Sequence, residues 1–449
     1  MTKNTIQSIK GFKDILPDEV GYYDFIENVI AHVTEQYSVS QIRVPIIEKT
    51  ELFNRSIGND TDIVNKEMYD FIDKNGDSIC LRPEGTVSII RCALEHNLIY
   101  DRGVKKQKFW YYGPMFRHEK PQRGRFRQFN QFGIEYFGFK NTESDIEIIF
   151  LLNLIFERLS IDNGITLHIN SLGTKEDRLN YKKIIKQHID KNIGKLDDNQ
   201  KKTLKNNPLR LLDSKSENMI DILEGIPPLY DILSTESKSR YDLLLKKLDS
   251  MKIQYIHNNT IVRGLDYYND TVFEWRHELL GSQNAICAGG RYDNLVEELN
   301  QTPVPAIGFA MGIERVVEIL KHVNQSLSEI YNIIPIINIT SENNTYCALQ
   351  CRELREIMPQ KRFFNTDSTS SLSSQLKHAM KMNSHFIILI TDENIKDSSF
   401  TVKTHANKMN DIIVTKDKLL EMLSKLHDDD CSVQDELDDD FETPGEPDE

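Results

Sequence analysis

"QKFWYYGPMFRHEKPQRGRFRQFNQFGIEYFGF", residues 107–139, holds two aromatic-rich runs around a polar loop, "RHEKPQRGR" (117–125). Aromatic enrichment on both sides of a turn-forming loop predicts two long strands, 107–116 and 124–139, paired as an antiparallel hairpin. In the second run the two-residue period of a strand places Arg127, Phe129, Gln131, Gly133 and Glu135 on one face. Gln131 and Glu135 are then separated by about 13 Å, at ~3.3 Å per residue. Gly133 lies between them with no side chain, so the face reads as an open cradle for a small zwitterion with acceptors at both ends.

Working outward from the hairpin, "LPDEVGYYDFIENVIAHVTEQYSV" (16–39) begins with Pro17 and two acids and repeats apolar residues at helical spacing, which predicts a helix. "QIRVPIIE" (41–48) reads as a strand interrupted by Pro45, suited to an edge or an interface. From Thr174 to Met251 the texture becomes Lys-rich and helical, with few aromatics, as an inserted helical module would be. Strand patterning resumes at "IQYIHNNTIVRGLDYYNDTVFEW" (253–275) and continues through Leu320. After residue 330, strands and helices alternate, which predicts a small α/β domain with a partly parallel sheet. The expected class is therefore α+β: an antiparallel-sheet domain flanked by helices over 1–325, interrupted at 174–251, then an α/β domain over 331–427.

A chain of 449 residues is too long for one ordinary core. No apolar run approaches the roughly 20 residues of a membrane helix, and the N-terminus lacks an apolar signal core, so a soluble cytoplasmic protein is expected. The six cysteines show neither CxxC nor zinc spacing, which fits reduced thiols. Cys347 and Cys351, four apart in a helical pattern, read as ordinary helix residues. The net charge of −14 argues against a nucleic-acid partner only until its origin is located. Residues 428–449 carry twelve acids and no Lys or Arg, and with so little apolar content this tail is expected to be disordered. By contrast Arg102 to Arg127 holds nine basic residues against one acid, Glu119, a local field that suits a phosphate backbone.

No GxxxxGK[ST] and no GxGxxG occurs. Any ATP must be held otherwise, and three arginines offer themselves: Arg117, Arg263 and Arg315. Arg315 lies in "AIGFAMGIERVVEIL" (306–320), where a small-residue strand turns at Gly312 into an apolar helix. A cation in a first helical turn opposes the dipole unless an anion joins it, and phosphate is the natural anion. "LRPEGT" (81–86) adds Glu84 and Thr86, and "RGLDYYND" (263–270) adds Tyr267 and Tyr268. "CAGGRYDNLVEEL" (287–299) adds Tyr292, with Gly289 and Gly290 permitting close backbone approach.

Together these segments resemble the class II aminoacyl-tRNA synthetases, and within them the histidyl-tRNA synthetases, in order over nearly all of residues 8–325. "RVPIIEKTELF" is similar to the end of class motif 1, the segment from Gly113 to Gly138 to motif 2, and "AIGFAMGIERVVEIL" to motif 3. "RGLDYYNDTVFEW" and "AGGRYDNLVEEL" resemble the two signatures peculiar to the histidine enzymes. The resemblance implies ATP and L-histidine as substrates, usually with Mg²⁺, a histidyl-adenylate intermediate, transfer to tRNA(His), and a homodimer. It implies Arg117 on the α-phosphate, Glu119 at adenine, Arg315 on the γ-phosphate, and Arg263 where other class II enzymes place a metal ion. Glu84, Thr86 and Gln131 would take the ammonium of histidine, Glu135 and Tyr268 the two ring nitrogens, while Tyr267 and Tyr292 shape the pocket. The α/β domain would bind the anticodon, although Asn383 and Thr391 stand where glycines are expected, so no anticodon contacts are assigned. A non-catalytic relative, the synthetase-like subunit of ATP phosphoribosyltransferase, typically lacks the C-terminal domain and has eroded motifs; this chain has the domain and keeps the motifs. A plain RNA-binding module would explain the basic segment but not three separately placed arginines.

Overall fold

The computed structural model describes residues 6–58, 61, 63–100, 103, 105–122, 124–214, 216–262, 267–299, 301–323, 333–339, 344–366, 370–382, 386–404 and 411–425. Arg263 and the acidic tail lie outside the described residues, as does Asn383. The chain divides into two compact units, Met1–Gln325 and Ser326–Glu449.

Among the described residues the first unit has eleven strands: β1 Ser40–Gln41, β2 Ile47–Lys49, β3 Tyr69–Ile72, β4 Ser78–Leu81, β5 Gln107–Phe116, β6 Gln128–Phe137, β7 Ile165–Ser171, β8 Tyr255–His257, β9 Asn269–His277, β10 Ala285–Arg291 and β11 Ala306–Gly312. Eight of them form one sheet in the order β1-β5-β6-β11-β10-β9-β7-β8. The hairpin read from the sequence is there: β5 and β6 pair antiparallel over ten register positions, Gln107 opposite Phe137 and Phe116 opposite Gln128. Antiparallel ladders continue through β11, β10, β9 and β7, with parallel pairing only at the two edges, β1 with β5 and β8 with β7.

Alternation along β6 sorts its side chains by face. Phe132, Ile134 and Tyr136 are fully buried, and the Tyr136 hydroxyl donates to Glu147 of the helix Thr142–Arg158 at 2.9 Å. The helices Pro17–Gln36, Thr142–Arg158 and Ile313–Val323 cover that side. The intervening residues Gln131 and Glu135 face the helix Thr86–Glu95, where Thr86 meets Glu135.

Pro45 does more than weaken a strand. The expected strand 41–48 is split: β1 joins the large sheet, whereas β2 pairs antiparallel with β4 in a separate sheet ordered β2-β4-β3. Buried Arg82 ties the break together, its guanidinium donating to the carbonyls of Val44 (3.1 Å) and Pro114 (2.9 Å). Between β7 and β8 the chain is helical: the helices Lys175–Asp190, Asp198–Asn206, Glu217–Leu223 and Leu229–Ile232 pack around Tyr181, Ile185, Leu204 and Met219, and the helix Thr235–Ser250 packs on the helix Thr142–Arg158 and β9.

The second unit has the strands β12 Ile333–Asn338, β13 Arg362–Asn365, β14 Phe386–Ile390, β15 Ser399–Thr404 and β16 Asp411–Thr415, ordered β13-β12-β14-β15-β16. The first three are parallel and the rest antiparallel. Cys347 and Cys351 are buried in its core on the helix Asn344–Ile357. Thr391, where a glycine was expected, caps the helix Asp392–Asp397 by accepting from the Asn394 amide at 3.1 Å.

Candidate active site

A cavity of about 420 Å³ opens where β6, β9, β10 and β11 meet the loop after β5. Arg117, Glu119, Arg315, Glu84, Thr86, Gln131, Tyr267 and Tyr268 all line it. Glu135 and Tyr292 do not. They are buried one side chain away, where Thr86 Oγ1 donates to one Glu135 oxygen at 2.7 Å and the Tyr292 hydroxyl donates to the other. Tyr267 and Tyr268 precede β9 directly, with ring centroids 4.7 Å apart, and Tyr292 stands edge-on to Tyr267 at 5.7 Å.

Among the described residues, the cationic side of the cavity carries three guanidiniums. Arg117, just beyond β5, donates through Nε to the Pro83 carbonyl at 2.8 Å and lies over the Phe129 ring, 5.3 Å from its centroid. Arg125 pairs with Glu119. Arg315 is the third residue of the helix Ile313–Val323 and donates to the Ala285 carbonyl. Burial pushes the pKa of all three down, and the neighbouring Arg125 and Arg117 add to the effect at Arg315. Like charges crowded into a desolvated space repel, and a polyanion would relieve them. Arg125 was not singled out in the sequence, although its place in a basic, glycine-bearing loop was a signal. Glu274, an acid between Phe273 and Trp275, and Glu314, beside Arg315, also line the cavity and carried comparable signals. Glu314 accepts from the Asn130 amide at 2.8 Å, which fixes the start of the arginine's helix against β6.

At the other side, the Glu84 carboxylate accepts from the first two amides of the helix Thr86–Glu95, at 3.0 and 2.8 Å. An acid at a helix N-terminus complements the dipole, so Glu84 has a structural task besides any ligand. The Gln131 side-chain oxygen is buried on the cavity and has no hydrogen-bond partner among the described residues. A buried acceptor left unmet costs about 1–3 kcal/mol, so a donor is wanted there. Among the described residues Glu135 has no paired cation. Burial pushes its carboxyl up to about 8, with the hydrogen bonds from Tyr292 and Thr86 pulling the other way.

The expectation for Gly133 needs correction. Its open face is filled by the ring of Tyr111, directly opposite in β5, and a Cβ at Gly133 would meet the Tyr111 hydroxyl at 2.3 Å. Gly308 is the residue that makes room for chemistry: it faces Glu135 across the ladder, and a Cβ there would meet the carboxylate at 1.9 Å. Gly289 serves strand contact, since its Cβ would strike the Gly308 carbonyl. Within the basic run 102–127, Arg117 and Arg125 line the cavity, and Lys108 pairs with Glu147.

A family model described as histidyl-tRNA synthetase matches residues 11–316. A histidine--tRNA ligase from Buchnera aphidicola is 46% identical over 400 residues, covering 89% of this chain and 92% of the relative. The apo histidyl-tRNA synthetase of S. aureus is similar with a TM-score of 0.75 at 28% identity, over 93% of this chain and 99% of that one. A histidyl-tRNA synthetase from a Nostoc species shares the fold, with a TM-score of 0.66 at 17% identity, over 94% and 99%. With this likeness over most of its length, the chain belongs to the histidyl-tRNA synthetase family.

Proposed function

We propose that the protein ligates L-histidine to tRNA(His) at the expense of ATP, through histidyl-adenylate on a class II catalytic fold. The α-carboxylate of histidine attacks the α-phosphorus of ATP, the bond to diphosphate breaks, and the mixed anhydride remains bound. A hydroxyl of the terminal tRNA ribose then attacks the acyl carbon, an ester forms and AMP leaves. The observation that carries this reading is the single cavity that joins guanidiniums to an unmet acceptor and a tyrosine cluster. Arg117 would hold the α-phosphate, Arg315 the γ-phosphate and Glu119 the adenine. These groups act by position and by neutralising charge that grows on phosphate oxygens. Gln131, Thr86 and Glu84 would take the ammonium group. Neutral imidazole has one donor and one acceptor nitrogen, so Glu135 and Tyr268 divide the ring between them, with Tyr267 and Tyr292 as walls. Glu135 is already bonded to Thr86 and Tyr292, so ring binding exchanges a hydroxyl partner for a ring nitrogen. The role assigned to Arg263, a second clamp on the phosphates, falls outside the described residues.

Mg²⁺ fits as a companion of ATP. No three His, Cys, Asp or Glu among the described residues converge on a metal position, and Glu84, Glu119 and Glu314 are each hydrogen-bonded already. Magnesium favours phosphate and water oxygens and would offset charge on the triphosphate. The second unit would bind the anticodon, and the working form would be a cytoplasmic homodimer. No helix among the described residues is long and apolar enough to cross a membrane.

Charging of unfractionated tRNA with each labelled amino acid tests the reading. Histidine should be esterified to one tRNA species. Adenylate formation without transfer, or transfer of a different amino acid, would overturn it.

A further inference from the structure

Two residues beyond Tyr268, Asp270 takes a left-handed backbone conformation, with φ 53°. A residue with a Cβ rarely adopts it, although Asp is among the more tolerant, and it persists where surrounding bonds over-determine it. Those bonds are present. The Asp270 amide donates to the Gly173 carbonyl at 3.0 Å, and its own carbonyl accepts from the Leu172 amide at 2.7 Å. Its carboxylate accepts from Ser171 Oγ at 3.3 Å and pairs with Arg240 Nη1 at 3.0 Å.

Arg240 belongs to the helix Thr235–Ser250, the last of the helical insertion, and its Nη2 also donates to the Lys140 carbonyl at 2.9 Å. The start and end of the insertion are in turn tied through Asp177, which accepts from the Thr174 amide (2.9 Å), the Ser234 amide (2.8 Å) and Ser237 Oγ (2.6 Å). The insertion helix, the end of β7 and the turn that carries the tyrosines are thus one bonded unit. Asp270 is buried, with Asp145 and Asp293 adding negative charge nearby. The other cation close to it among the described residues, Arg291, is fully buried and committed to Asp145 at 2.5 Å. Arg240 is therefore the side chain that compensates Asp270.

We propose that Arg240 is a positioning residue for the amino-acid pocket: its pairing with Asp270 sets the turn that presents Tyr267 and Tyr268, so the insertion tunes histidine binding without lining the cavity. This rests on the reading of the two tyrosines as histidine-binding. The test is steady-state ATP–pyrophosphate exchange on the full chain, comparing wild type with Arg240→Ala, Arg240→Lys, Asp270→Asn and the Arg240→Ala/Asp270→Asn double variant. Asn tolerates the left-handed conformation, so Asp270→Asn removes charge with the least backbone cost. Arg240→Ala and Asp270→Asn should each raise the histidine KM about tenfold, with kcat and the ATP KM within about twofold of wild type. Arg240→Lys should recover part of the loss. The double variant should be no worse than the weaker single one, because both break the same pair. If Arg240→Ala does not fold, Arg240→Lys and Asp270→Asn carry the comparison. Unchanged histidine KM values, a parallel rise in both KM values, or additive losses in the double variant would overturn the proposal. If wild type itself shows no histidine-dependent exchange, the functional reading fails instead.

Discussion

Glu135 is the residue at which burial and chemistry meet. It is fully buried, with no cation in contact among the described residues and two hydroxyls on its carboxylate, and its carboxyl is pushed up to about 8. A native-state pKa above the unfolded value means that the folded chain keeps a proton the unfolded chain has released. The stabilising effect is complete below the ordinary carboxylate range and is lost as pH rises toward 8. Glu314, raised to about 7 by burial, acts in the same direction over a narrower window. Glu135→Gln imitates the protonated shape and cannot ionise, so its thermal midpoint should gain on wild type between about pH 5 and pH 8. Above that range the carboxylate is charged, and there the same substitution should raise the histidine KM steeply, by about 1.5–3 kcal/mol in binding, since the ring N–H loses a charged acceptor. The ATP KM should hardly move. Melting curves across pH and a two-substrate kinetic series check both statements, and an equal rise in both KM values would contradict the imidazole role.

Among elements, the split at Pro45 shows a buried arginine serving architecture rather than ligand binding. Arg82 gives its N–H groups to carbonyls on two separate segments, so Arg82→Ala should destabilise the chain by about 3 kcal/mol by leaving those acceptors unmet. Urea unfolding measures it, and an unchanged midpoint would show that water replaces the guanidinium. The β5–β6 hairpin was legible because both strands are long, aromatic and joined by a polar loop, and Arg315 was legible because Gly312 marks the strand-to-helix turn. The role of Gly133 was not. Its neighbour Tyr111 is twenty-two residues away in sequence and becomes adjacent only once the register is set. Glu84 was read as a ligand acceptor, but its bonds to the helix amides depend on where that helix begins. Arg125 and Glu274 were passed over because a loop arginine and a strand acid usually face solvent, and only the closed sheet turns them to the cavity.

For the whole molecule, assembly and activity are separate questions. Ile46, Ile47, Phe71 and Ile72 are exposed on and beside the small β2-β4-β3 sheet, an apolar surface next to the Pro45 break. A two-fold interface there would cover it, since the same patch can meet itself in an isologous dimer. Sedimentation should then give about twice the chain mass of 52.1 kDa, and Phe71→Lys with Ile72→Lys should shift the distribution to monomer. A wild-type monomer with full activity would contradict this. The central claim is that one cavity binds ATP on its arginines and histidine among its tyrosines and acceptors. Amino-acid-dependent ATP–pyrophosphate exchange, run with each of the twenty amino acids, tests it most directly. Exchange should depend on histidine and stay at background with the other nineteen; exchange supported by another amino acid, or none at all from folded protein, would contradict it.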